Sequence, residues 1–266
     1  MAYTYDDFQI TKSGAILEVV LNRPDSRNAL KREMDHDWDA VLDEAEADEE
    51  VRVIMLRGAG KVFCAGHDLK QPRAATPPSA VPAMPRAWYF SKPIVAAVHG
   101  YVGGAGNTLL FGADFIIAAE GTKFAFEMYR GGGAAPTFLS LLFPMRVAKK
   151  LFMMGGWFDA EQALRFDYVQ RVVPVDQVLA EAARWAEHLA NIAPKGVQGS
   201  KQGIHLAYEI MLDLPNVVSI KDHARLPTRV REPGAPARGD SAVKEQSLDE
   251  AIRRRDAGFD PDVTRV

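Results

Sequence analysis

The stretch from Lys92 to Gly106 constrains this chain more than any other. It opens with Ile94-Val95-Ala96-Ala97-Val98, an apolar run without a polar interruption. Such a run, rich in β-branched residues, predicts a strand buried on both faces. Pro93 fits the first strand position, where its missing donor costs least. Gly100, Gly103, Gly104 and Gly106 follow, and a helix is expected from there through Phe111. Glycine at this density permits turns closed to other residues and leaves N–H groups uncovered. A glycine turn that runs into a helix start suits an oxyanion or a phosphate. Neither G-x-G-x-x-G nor G-x-x-x-x-G-K-[ST] occurs here, which tells against nucleotide phosphate and against a dinucleotide-dependent oxidoreductase. An oxyanion hole needs a second N–H, and Cys64-Ala65-Gly66-His67-Asp68 is a second glycine turn that offers one.

A length of 266 residues allows one large domain or two small ones. The net charge of −3 and the lack of a basic stripe with interleaved aromatics tell against nucleic acid as a partner. Cys64 is the single cysteine, so no internal disulfide forms and a reducing compartment is expected. Met1 to Ile10 carries Asp6 and Asp7 and has no apolar stretch of the signal-peptide kind. No run of 18 apolar residues exists, so no membrane span is expected. The chain reads as a cytoplasmic protein.

Hydrophobic periodicity predicts strands over Ala15–Leu21, Val51–Leu56, Asp114–Ala119, Phe124–Phe126 and Val169–Val173. It predicts helices over Ala29–Ala47, Val147–Met154, Asp176–Ile192 and Lys195–Leu212, with Asp159 capping a further one. Between Leu69 and Ser91 five prolines break the pattern, so a loop or lid is expected there, ending in a helical patch at Arg86–Tyr89. Residues 225–240 read as a Pro/Gly/Arg linker, and Ser241–Ala257 as a last helix. Strands alternating with helices indicate an α/β layered fold with a mainly parallel sheet.

Several motifs in order resemble the enoyl-CoA hydratase/isomerase (crotonase) superfamily. They are Leu21-Asn22-Arg23-Pro24 with Asn28-Ala29-Leu30, Phe63 through Leu69, Lys92 through Tyr101, Asp114 through Phe124, and Asp159 through Pro174. The resemblance covers roughly residues 10–195. It implies an α/β spiral of ββα units with a helical C-terminal region. It divides the chain into a core, 1–195, holding the site, and a helical part, 196–266, that covers the site and serves oligomerisation. It implies a homotrimer or homohexamer acting on an acyl-CoA thioester, with no metal and no cofactor beyond the substrate's own coenzyme A. The shared step would be stabilisation of a thioester enolate by the backbone N–H groups of His67 and Ala105. Fixed donors aimed at a charge that grows during reaction favour the transition state over the substrate. Coenzyme A would lie along Asp25, Ser26 and Arg27, beside Ala65, Gly66, Asp68 and Gly104. Arg27 would meet a phosphate or be a solvated side chain, and Asp68 and Asp114 match the family's structural aspartates.

Two positions depart from the pattern. The family's hydratases place glutamates where this chain has Thr108 and Met128. Adding water needs a base and an acid with pKa values near the working pH, and neither Thr nor Met supplies one. Isomerisation, hydrolysis, C–C cleavage or dehalogenation-like chemistry is therefore expected rather than hydration. Glu127, Tyr129 and the His67 imidazole are the candidate substitutes, although on extended backbone Glu127 points away from the position of Met128. His99 ends the central strand and is expected to make a structural hydrogen bond. Gly131-Gly132-Gly133 would loosen the pocket wall. The competing reading is a non-catalytic acyl-CoA-binding or scaffold member of the same superfamily.

Overall fold

The computed structural model describes residues 3, 5–68, 70, 84–127, 140, 142–212, 253 and 265. Strands β1 (Phe8–Ser13) and β2 (Ile16–Leu21) form an antiparallel hairpin turning at Gly14. A 3-10 turn at Pro24–Ser26 and helix α1 (Arg32–Ala47) lead to β3 (Val53–Gly58), which lies parallel to β2. Helix α2 (Met84–Tyr89) precedes β4 (Ile94–Val98), parallel to β3. The chain then leaves for a second sheet through β5 (Tyr101–Gly103) and returns by α3 (Ala105–Phe111) to β6 (Phe115–Ala119), beside β4. Strand β7 (Lys123–Ala125) joins β5 in the second sheet. After α4 (Met145–Met154), β8 (Trp157–Asp159) completes that sheet. Then α5 (Ala160–Arg165), β9 (Arg171–Val173), α6 (Val178–Asn191) and α7 (Pro194–Leu212) follow. The large sheet runs β1-β2-β3-β4-β6-β9 and the small one β5-β7-β8. The pairs β4/β5 and β6/β7 thus give one strand to each sheet, in keeping with the α/β spiral that the resemblance implies.

The unbroken apolar run of β4 is explained by its surroundings. Ile94, Ala96 and Val98 face the main core with Trp38, Leu42, Leu110 and Phe124. Val95 and Ala97 face the opposite way, against Val178, Ala182 and Ala186 of α6. A strand buried on both faces has no position at which water would tolerate a polar side chain. Helix α5 starts as expected at Asp159: its carboxylate accepts from the Gln162 amide at 2.8 Å, and the Gln162 side chain accepts from the Asp159 amide at 3.1 Å.

Several boundaries differ from the sequence expectation. Helix α1 begins at Arg32 rather than Ala29, because Leu30 forms a parallel bridge with His67. Strands β1, β5 and β8 were not expected; β5 occupies what reads as the start of the glycine turn. Helix α7 begins at Pro194 rather than Lys195 and docks on α2. There His205 stacks on Trp88, centroids 3.9 Å apart, Trp88 Nε1 donates to Glu209 at 2.9 Å, and Lys201 pairs with Asp114 at 2.8 Å. Met128, Tyr129, the Gly131–Gly133 run, most of the proline-rich loop, the linker at 225–240 and, Arg253 apart, the last helix lie outside the described residues.

Candidate functional site

The site is assembled where three segments run side by side. Residues 27–30 flank one edge of residues 64–68, and β5 flanks the other. On the first edge the Ala65 amide donates to Arg27 O at 3.0 Å, the Leu30 amide to Gly66 O at 2.7 Å, and the Asp68 amide to Leu30 O at 2.9 Å. On the second the Cys64 amide donates to Tyr101 O at 3.2 Å and the Gly103 amide to Cys64 O at 2.9 Å. The two glycine turns therefore abut. A methyl group placed on Gly66 would sit 2.8 Å from Gly103 O and 3.4 Å from the Ala105 nitrogen. Gly66 also has φ +94, a conformation that side chains other than hydrogen rarely adopt.

Peptide planarity fixes where the two amides of interest point. No peptide bond among the described residues is cis. In a trans peptide the carbonyl and the next N–H lie on opposite sides. Gly66 O is directed at the Leu30 amide, so the His67 N–H points away from Leu30, toward the flank where β5 runs into α3. Gly104 O accepts from the Asn107 amide at 3.0 Å, inside the first turn of α3. The Ala105 N–H therefore points out of the helix start, where a helix has no acceptor of its own. Gly104 itself has φ 43 and ψ −109, a turn that only glycine makes cheaply.

Charged and polar groups hold this frame. Arg23 bonds Asp68 Oδ2 at 3.0 Å through Nη2, approaches Asp7 Oδ1 at 3.2 Å through Nε, and donates to Ala29 O through Nη1. Burial works to raise the Asp68 carboxyl, but the Lys70 amide and the Arg23 guanidinium outweigh it and hold it below the usual carboxylate range. Asn28 is fully buried with φ 54. Its side chain accepts from the Arg23 amide and donates to the carbonyls of Ala59, Val62 and Phe63. The Cys64 thiol is buried between the turns, 3.2 Å from Asn28 O and 3.4 Å from the Gly66 nitrogen. Burial pushes it up to about 12 despite the Gly66 amide.

A family model described as enoyl-CoA hydratase/isomerase matches residues 11–223. The chain belongs to the enoyl-CoA hydratase/isomerase family, within the crotonase superfamily. The carnitinyl-CoA dehydratase of Citrobacter koseri is 32% identical over 208 residues, covering 74% of this chain and 79% of that protein. That of Escherichia coli K12 is 31% identical over the same coverage. Among solved structures, the enoyl-CoA hydratase of Mycobacterium avium superposes with a TM-score of 0.73 at 27% identity, covering 83% of this chain and 96% of that one. The enoyl-CoA hydratase/isomerase of Pseudoalteromonas atlantica gives 0.73 at 27% identity, covering 82% and 89%.

Within this crotonase fold the residues singled out from sequence fall into distinct places. His67 and Ala105 flank the junction of the turns, with Gly66 and Gly104 between them; the His67 side chain is exposed. Asp25 and Ser26 lie in the exposed 3-10 turn and Arg27 caps it, its carbonyl accepting from the Ala65 amide. Thr108 is buried in α3 at 7% exposure and carries no carboxylate. The Glu127 carboxylate accepts from Lys123 Nζ at 2.8 Å and from the Tyr101 hydroxyl at 3.1 Å. It shares the face of Lys123 and Ala125, opposite the face of Phe124 and Phe126. Met128 and Tyr129 are not among the described residues. His99 Nε2 meets Gly60 O at 2.9 Å, and Asp114 accepts from the Ile94 amide and Lys201, both structural contacts as expected. Sequence reasoning quoted Arg23 and Asn28 within a motif without giving them a role, and gave none to Asn107 or Tyr168. For Asn107 there was a usable signal, an amide side chain at the start of an otherwise apolar helix.

Proposed function

We propose that this protein is an acyl-CoA enzyme that binds a thioester carbonyl between the N–H groups of His67 and Ala105 and stabilises the enolate formed when a base, for which the His67 imidazole is the candidate among the described residues, takes the α-proton. The observation that carries this reading is the junction of the two turns, where the Gly66–His67 and Gly104–Ala105 peptide planes are anchored through the Gly66 and Gly104 carbonyls. Both peptide planes are anchored through their carbonyls before substrate arrives, so little reorganisation is needed as charge develops. A single donor of this kind is worth about 3 kcal/mol in the transition state. Coenzyme A would extend along Asp25–Arg27 and Ala65, with Arg27 free to reach a phosphate from its exposed position.

The reaction class follows from what Thr108 lacks. A hydroxyl is neither a base nor an acid near neutral pH, so water addition by a pair of glutamates is not the step proposed. The relatives named carnitinyl-CoA dehydratase keep dehydration among the chemistries to assay, beside isomerisation, hydrolysis and C–C cleavage. We further propose that the enzyme works as a homotrimer or homohexamer in the cytoplasm. The alternative, a binding member without turnover, is favoured by the same Thr108. Incubation with a panel of acyl-CoA thioesters in deuterated buffer separates the two. Enzyme action incorporates deuterium at the α-carbon of at least one thioester, whereas tight binding without any exchange establishes the alternative.

A further inference from the structure

We propose that the buried Asn107–Tyr168 pair is a positioning device that fixes the direction of the Ala105 amide. The proposal rests on the oxyanion reading above and adds residues that this reading does not require. Asn107 is fully buried. Both donors and the acceptor oxygen of its side chain are engaged: Nδ2 donates to Val102 O at 3.3 Å and to Ala125 O at 3.2 Å, and Oδ1 accepts from the Tyr168 hydroxyl at 3.1 Å. The carbonyl of Ala125 also accepts from the Gly104 amide at 3.0 Å. The side chain thus ties the first turn of α3 to the ends of β5 and β7, the two strands that bracket Gly103-Gly104-Ala105.

That tie matters because the turn it spans is intrinsically loose. Two glycines precede Ala105, and Gly104 sits at positive φ, so local backbone preference does little to hold the peptide plane between residues 104 and 105. Tyr168 makes the tie rigid. Its ring is clamped in the aromatic core, stacked on Phe143 at 5.2 Å and edge-on to Phe124 and Phe158 at 5.4 Å each. Its hydroxyl is the donor that satisfies Asn107 Oδ1. Without that donor a buried acceptor is left unpaired, and the amide is driven to seek another arrangement. The direction of the Ala105 N–H is therefore set by the Gly104 carbonyl's bond to the Asn107 amide and, through the Asn107 side chain, by the Phe/Tyr core.

The test uses Tyr168→Phe, which removes one oxygen and keeps the ring, and isotope-edited infrared spectroscopy of bound [1-13C]acetyl-CoA. In the wild-type protein the carbonyl stretch shifts to lower frequency on binding, because two N–H groups polarise it. In Tyr168→Phe much of that shift is lost and α-proton exchange slows by about ten- to a hundredfold, while acetyl-CoA affinity changes by less than about threefold. Tyr5→Phe, which removes a hydroxyl bonded to Glu44 on α1, leaves both readouts at the wild-type value. The proposal is overturned if Tyr168→Phe melts earlier yet keeps the full carbonyl shift and exchange rate, since the pair is then purely structural. A wild-type protein that binds acetyl-CoA with an unshifted carbonyl overturns the oxyanion reading, and the role of the pair with it.

Discussion

Gly66→Ala is the sharpest perturbation of the junction. The added methyl would lie 2.8 Å from Gly103 O, 3.3 Å from Gly103 C and 3.4 Å from the Ala105 nitrogen, all backbone atoms that cannot rotate away. Relief requires the two turns to part by about half an ångström or more to reach normal contact distance. The φ of +94 adds a conformational cost of about 1–2 kcal/mol. Gly121→Ala is the matched control: φ is +74, and no heavy atom lies within 4 Å of the new methyl. The control carries the backbone cost alone, so the further loss in Gly66→Ala, about 1–3 kcal/mol, isolates the clash. Activity should separate the pair more strongly than stability. Displacing one oxyanion donor costs about a hundred- to a thousandfold in rate, while Gly121→Ala keeps wild-type exchange. Chemical denaturation measures the first difference, and deuterium incorporation into acetyl-CoA the second. A Gly66→Ala protein that exchanges the α-proton as fast as Gly121→Ala would refute the view that the abutting turns form the site.

Three further outcomes are expected. With its thiol buried and pushed up to about 12, Cys64 should resist alkylation at pH 8 in the folded protein and react only after denaturation; rapid native labelling would contradict the packing around it. Asp68→Asn should destabilise the protein by about 1–3 kcal/mol at neutral pH by leaving Arg23 short of a partner. The folded carboxyl is held low, so its stabilisation is present above the unfolded value of about 4 and fades as pH falls through the folded one; the two melting curves should converge in acid. Burial, and then Lys201, lower His205, which faces Trp88, Asp114 and Glu209 as well. Its neutral form is the one that docks, so α7 should loosen as pH drops below about 6.5, and His205→Gln should flatten that dependence in a melting-temperature series from pH 7.5 to 5.5.

How much of this the sequence revealed depends on where each energy term resides. Strand β4 was legible because burial on both faces writes itself into five consecutive apolar residues. The two glycine turns were legible because positive φ and close backbone approach leave no alternative residue at Gly66 and Gly104. Strands β5 and β8 have three residues each and exist through pairing with segments distant in sequence, so no local pattern announces them. Strand β1 has one buried residue, and its other side chains are those of an edge. The Arg23–Asp68 pair joins positions 45 apart, and Asn107–Tyr168 positions 61 apart. Such contacts are properties of the assembled spiral, invisible to composition or periodicity. Helix α1 shows the reverse failure: periodicity extended it back to Ala29, whereas backbone pairing with the His67 turn takes Leu30 for the site.

A crystal structure with a bound, unreactive acyl-CoA thioether or thioester would test the central claim most directly. The carbonyl oxygen, or the atom standing in for it, is predicted to rest about 2.7–3.1 Å from both the His67 and the Ala105 nitrogens. An acyl group seated elsewhere, or one that touches only one of the two amides, would contradict the account.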